Sequence, residues 1–159
     1  MREDKSPEVC VVIAAKDAAD TIGRAIASAL REPEVAEVVV VDDGSSDATA
    51  EVARALDDRS GRLTVVRLDE NQGPSGARNR AIEVSRAPLI AVLDADDFFF
   101  PGRFAAMIRE TDWDMIADNI GFIHHDPSQP IEPDRFHART RSLSIHDFVD
   151  GNISRRGRQ

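Results

Sequence analysis

Three carboxylates close the segment Leu89-Ile90-Ala91-Val92-Leu93-Asp94-Ala95-Asp96-Asp97. The apolar run before them reads as a strand buried on both faces. Side chains two positions apart on a strand share a side, so Asp94 and Asp96 are expected to border one cleft. Neighbouring negative charges repel, and a divalent cation with oxygen ligands, Mn²⁺ or Mg²⁺, relieves that repulsion. A cation held there also binds a diphosphate and stabilises it as it leaves. A plainer reading stands beside this one, because carboxylates at a strand end also cap turns and helix starts.

Two further polar segments carry chemistry of a compatible kind. Val41-Asp42-Asp43-Gly44-Ser45-Ser46-Asp47 places carboxylates where they can accept from a base N–H or a ribose hydroxyl, and Gly44 permits a tight turn. Asp47 reads as a helix N-cap. For Asp42 capping and site duty stay equally open, and Asp43 lies one residue nearer the cleft. Glu70-Asn71-Gln72-Gly73-Pro74-Ser75-Gly76-Ala77-Arg78-Asn79-Arg80 is a turn-rich loop feeding a helix N-terminus, which favours anions. Arg78 and Arg80 are placed either to reach phosphate oxygens or to form a salt-bridged helix face.

The elements that must position these loops alternate in type. Val9 to Ala15 reads as a strand, and Thr21 to Arg31 as a helix burying Ile22, Ala25, Ile26, Ala29 and Leu30, with Asp20 as its N-cap. Val38 to Val41 is a second strand, Ala48 to Leu56 a second helix turning Val52, Ala53 and Leu56 inward, and Leu63 to Leu68 a third strand. A helix from about Ser75 to Val84 leads into the strand at Leu89, and Pro101 starts a helix through Phe104, Met107 and Ile108. Right-handed crossovers then give an α/β fold: a mostly parallel sheet, helices on both faces, ligands at the carboxyl ends of the strands. The polar loops after all four strands meet at that edge. Residues 1–123 read as this domain. Short strands are expected near Met115-Ile116-Ala117 and Ile120 to Ile123, then a long loop through 124–142 and a short helix over Ser144 to Val149.

From Glu8 to Phe104 the chain resembles the inverting nucleotide-sugar glycosyltransferases of the GT-A type, glycosyltransferase family 2, a Rossmann-like fold. Val40-Val41-Asp42-Asp43-Gly44-Ser45-Ser46-Asp47 resembles the family's aspartate-rich turn, Asn71-Gln72-Gly73-Pro74-Ser75-Gly76-Ala77-Arg78-Asn79 its Asn-x-Gly loop and helix, and Asp94-Ala95-Asp96-Asp97 its Asp-x-Asp metal motif. The resemblance implies a UDP-sugar donor whose uracil meets Asp43. It sets Asp94 near ribose and metal, puts Asp96 on the cation directly, and draws Ala14, Asn71, Gly73, Arg78 and Ala95 into the donor site. It also implies a single in-line displacement with inversion. A base deprotonates a hydroxyl of a growing glycan or lipid-linked saccharide, while the metal carries the charge on the departing diphosphate.

Two departures bear on this. After the first strand the family's Pro-x-Tyr-Asn is replaced by Ala14-Ala15-Lys16-Asp17; the resemblance makes Asp17, at the Asn position, a candidate nucleotide contact, but one that can accept and not donate. Lys16 there either pairs with phosphate or is solvated. The family's catalytic base, usually in a Glu-Asp pair after the metal motif, has no counterpart, because no Glu-Asp follows Asp97. Residues 124–159 are therefore expected to begin an incomplete acceptor-side region, and the chain alone is expected to transfer little sugar. Asp118, Asp126, Asp134, Asp147 and Asp150 lie in no matching motif, so the catalytic base is unassigned.

Composition narrows the classes. With 159 residues, 42% of them hydrophobic, the chain can bury one real core. A formal charge of −9 argues against nucleic acid as a partner. No apolar run approaches the roughly 20 residues of a membrane span, and the start lacks a signal peptide's apolar core. A lone Cys10 fits a reducing compartment, hence the cytoplasm, and Arg155, Arg156 and Arg158 suit its anionic membrane face. His124-His125-Asp126 reads as exposed loop rather than a metal centre, Trp113 as packing or a sugar platform, and Phe98-Phe99-Phe100 as a core anchor. Two other classes compete: a catalytically silent nucleotide-binding module, and a phosphoacceptor receiver domain. The receiver reading wants an acidic pair at the end of the first strand, where Ala14-Ala15-Lys16-Asp17 stands.

Overall fold

The computed structural model describes residues 8–109 and 115–116, all within the compact unit Met1–Ile116. The expectations placed on Trp113, Ala117 and everything beyond, including His124, His125, the five Asp residues without a motif and the terminal arginines, lie outside the described residues.

Strand β1 (Val9–Ala15) forms the centre because all but one of its side chains are buried, the exception being Ala14. It pairs in parallel with β2 (Val35–Asp42) on one side and β4 (Leu89–Val92) on the other, and β2 pairs with β3 (Leu63–Arg67), giving the order β3-β2-β1-β4. Strand order reverses at β1, and in open α/β sheets ligands settle in the crevice outside the carboxyl ends at such a point.

Alternation along β1 assigns the helices. Val9, Val11, Ile13 and Ala15 face α1 (Ile22–Leu30) and α2 (Thr49–Ala55) in one cluster with Ile22, Ile26, Val38, Val40 and Ala53. Cys10 and Val12 face α3 (Gly73–Val84), whose Ala77 and Ala81 allow close approach to Val39 and Val41. Ile22, Ala25, Ile26 and Ala29 are buried as the helical period predicts, while Leu30 is only partly so. A short α4 (Arg103–Met107) follows the acidic loop and seats Phe104 edge-on to Phe99, ring centroids 5.2 Å apart.

Four expectations need correction. β4 is not buried on both faces: among the described residues it is an edge strand, with Ile90 41% and Val92 52% exposed, because α3 packs on β1 and β2 instead. It also ends at Val92, so the acids follow the strand rather than belonging to it. Asp20 does not cap α1; the N-cap position is Thr21, and the N–H groups of Thr21 and Ile22 donate to the Ala18 carbonyl. Met115 and Ile116 carry no strand. The contrast between centre and edge sets an expected result. Ile13→Ala should cost about 2–5 kcal/mol of unfolding free energy, and Ile90→Ala about 1 kcal/mol or less, measured by denaturant melts.

Candidate functional site

At the carboxyl edge the loops are stitched to one another by side chains, each doing a distinct job. Asp42 ends β2 fully buried. Its Oδ1 accepts from the Ser45 N–H at 3.0 Å and its Oδ2 lies 3.6 Å from Arg67 Nε, so its duty is to close the turn. Gly44 makes that turn at φ 68, and a Cβ there would meet the Asn71 backbone nitrogen at 3.3 Å, so the second and third loops touch backbone to backbone. Asp43, 3% exposed, accepts from the Gln72 N–H through Oδ1 at 2.7 Å. The residue proposed to read a base thus also fixes the start of α3.

The first loop is tied down differently. Asp17 takes φ 48, a left-handed conformation that Asp tolerates because its short side chain bonds locally. Its Oδ1 accepts from the Ser46 N–H at 2.7 Å and the Ser46 hydroxyl at 3.0 Å, while its own N–H donates to Ser45 Oγ at 2.9 Å. Lys16 donates to the Gly44 carbonyl at 3.1 Å. Asp47 accepts from the Ala19 and Thr49 N–H groups and from the Thr49 hydroxyl, bridging the first loop and the start of α2. Asp17, a candidate nucleotide contact, therefore has one oxygen already engaged in the clasp between loops.

That clasp makes acidity a lever. The Ser46 N–H holds the Asp17 carboxyl below its usual value of 3.8, and the Thr49 hydroxyl does the same for Asp47. A depressed folded-state value means stability present above 3.8 and lost as pH falls through the depressed values. Thermal midpoints followed downward in pH should drop in that range, and Asp17→Asn/Asp47→Asn should flatten the drop.

The third loop and α3 reach the acidic turn. Asn71 Oδ1 accepts from the Gly73 N–H at 2.8 Å, and Gly73 starts α3 at φ 78. Arg78 points across to the fourth loop and donates to Asp94 Oδ1 at 2.6 Å, with its Nε buried and unpartnered, whereas Arg80 pairs locally with Glu83. Beyond β4 the alternation persists: Leu93 and Ala95 are buried and Asp94 and Asp96 exposed. Ala95 joins the core cluster beside β1, which anchors the turn from beneath. Burial, reinforced by the charges of Asp96 and Asp94, pushes the Asp97 carboxyl up, so the three acids share one electrostatic environment.

Among the described residues no three His, Cys, Asp or Glu side chains converge as a complete metal cage. Two exposed carboxylates suit a cation that takes its remaining oxygens from phosphate and water, as Mg²⁺ commonly does. Ala14, half-buried and next to last in β1, pairs with Val41 close to the same edge. Arg24, Ser28 and Glu32 gave no local signal for a role here. Their spacing of four, on α1 and just past its end, is the one pattern in the sequence that marks them.

A model of the family described as Glycosyl transferase family 2 matches residues 10–154. The chain belongs to that family. Succinoglycan biosynthesis protein ExoU of Rhizobium meliloti is 59% identical over 94% of the chain, which spans 44% of that relative's length. Among solved structures, S. aureus TarS in complex with UDP-GlcNAc matches with a TM-score of 0.58 at 26% identity, covering 64% of this chain and 31% of that one. The mannosyltransferase PcManGT from Pyrobaculum calidifontis, in complex with GDP-Man and Mn²⁺, matches with a TM-score of 0.55 at 26% identity, covering 60% and 29%. These neighbours are GT-A glycosyltransferases with the Rossmann-like parallel sheet seen here. The receiver-domain alternative falls with the family.

Proposed function

We propose that this chain is the donor-binding part of an inverting glycosyltransferase that takes a UDP-sugar with Mn²⁺ or Mg²⁺. The sugar passes to a hydroxyl of a growing glycan or lipid-linked saccharide, at the cytoplasmic face of the membrane. The observation that carries this is the placement of Asp94 and Asp96, both exposed just past the carboxyl end of β4, beside β1 where the strand order reverses. That the matched neighbours were solved with UDP-GlcNAc, and with GDP-Man and Mn²⁺, supports the ligand class.

Asp43 accepts from the base, and the backbone at Ala14 cradles it. Asn71 and Gly73 shape the start of α3, whose positive N-terminal end favours the anionic diphosphate. Asp96 and Asp94 would hold the cation, which when bound supplies charge stabilisation to the departing diphosphate. Arg78, within reach of Asp94, orients that carboxylate and adds positive charge on the diphosphate side.

Calorimetry with UDP tests the reading. Binding should tighten roughly tenfold or more when Mn²⁺ is present, because a nucleotide and two carboxylates bring negative charges together that only a cation neutralises. Equal binding with and without the metal would overturn it.

A further inference from the structure

On α1 and just past its end, Arg24, Ser28 and Glu32 stand four residues apart, one turn each, so they project along one helix face. Each meets the backbone of the segment that begins at Asp96. Arg24 Nη2 donates to the Asp96 carbonyl at 3.0 Å, and its guanidinium lies over the Phe98 ring, 4.6 Å from the centroid. Ser28 Oγ accepts from the Phe99 N–H at 3.0 Å while donating to the Ala25 carbonyl at 2.8 Å. Glu32, 2% exposed, accepts from the Gly102 N–H at 2.9 Å through Oε1 and from the Phe104 N–H at 3.4 Å through Oε2. The contacts advance in step along both segments: 24 to 96, 28 to 99, 32 to 102 and 104.

We infer that Arg24, Ser28 and Glu32 are positioning residues that hold the 96–104 segment in register along α1 and thereby aim the Asp96 carboxylate. A buried carboxylate that accepts from two backbone N–H groups is costly unless their placement matters, and a buried hydroxyl serving as a relay says the same. Arg24 is the member nearest the chemistry. It fixes the backbone of Asp96 itself without touching that residue's carboxylate, leaving both oxygens free for a cation. This rests on the reading of Asp96 as a metal ligand.

The test uses the purified protein with Arg24→Ala, Arg24→Lys and Glu32→Gln, titrated with UDP in the presence and absence of Mn²⁺. Outer partners of metal ligands commonly contribute about 10–100-fold to metal affinity. Arg24→Ala should therefore lose about tenfold of the Mn²⁺-dependent part of UDP binding, while metal-free binding stays at the parent's value and the protein remains folded with a modestly lowered thermal midpoint. Arg24→Lys, which can still donate to the carbonyl, should recover part of the loss. Glu32→Gln keeps one acceptor oxygen and should speed amide exchange at Gly102 and Phe104 in the ligand-free protein. Should the parent respond to Mn²⁺ while Arg24→Ala binds like it, or lose metal-free binding equally, the positioning role is overturned and the metal site stands. A parent protein whose UDP binding ignores Mn²⁺ overturns the metal reading, and this inference with it.

Discussion

Asp96→Ala will erase the response of UDP binding to Mn²⁺. A methyl group cannot ligate a cation, and the loss should exceed the roughly 10–100-fold typical of outer partners, reaching about 100-fold or more in the metal-supported affinity. Asp96 is a cleaner probe than Asp94. Removing Asp94 also strips Arg78 of its 2.6 Å partner, and a guanidinium whose Nε is already buried and unpartnered would then reorganise, mixing two causes in one measurement. The Asp96 side chain is exposed and ties down nothing; only its carbonyl is used, by Arg24, and alanine keeps that. The fold should therefore survive with its thermal midpoint unchanged. Asp97→Asn is the control, expected to retain most of the Mn²⁺ response. Undiminished Mn²⁺ dependence in Asp96→Ala would move the metal away from this turn.

The reach of the sequence differs from part to part for physical reasons. The carboxyl edge was readable because strand, helix and strand succeed one another at short spacing. Right-handed crossovers leave little freedom over which ends of the strands carry the loops. β1, flanked by partners, matched its pattern residue for residue. β4 did not, since a short apolar run looks the same whether helices cover both its faces or one, and strand order is not a local property. Asp42 could not be separated from Asp43 by type. Its burial against the Ser45 N–H and Arg67 is what assigns it to the turn. Arg24, Ser28 and Glu32 were invisible for a related reason. Their partners lie about seventy residues away, and a polar residue every fourth position on an amphipathic helix otherwise reads as its ordinary wet side.

Asp43 separates the base end of the site from the metal end. Its carboxylate has two tasks: Oδ1 receives the Gln72 N–H at 2.7 Å, and the group as an acceptor suits the imide N–H of uracil. Asp43→Asn keeps an oxygen for Gln72 while offering amide hydrogens to the base. It should fold as stably as the parent and lose roughly 10–100-fold in UDP affinity, the equivalent of a charged hydrogen bond of about 1.5–3 kcal/mol. The loss should be the same with and without Mn²⁺, unlike that of Asp96→Ala. An amide can donate to the ring nitrogen of cytosine, which accepts where uracil donates, so the preference for UDP over CDP should narrow in competition titrations. Asp43→Ala removes both tasks, and its stability should fall by a further 1–2 kcal/mol or so as the start of α3 comes loose. If Asp43→Asn binds UDP as the parent does, Asp43 serves only the turn, and the base is read from another loop.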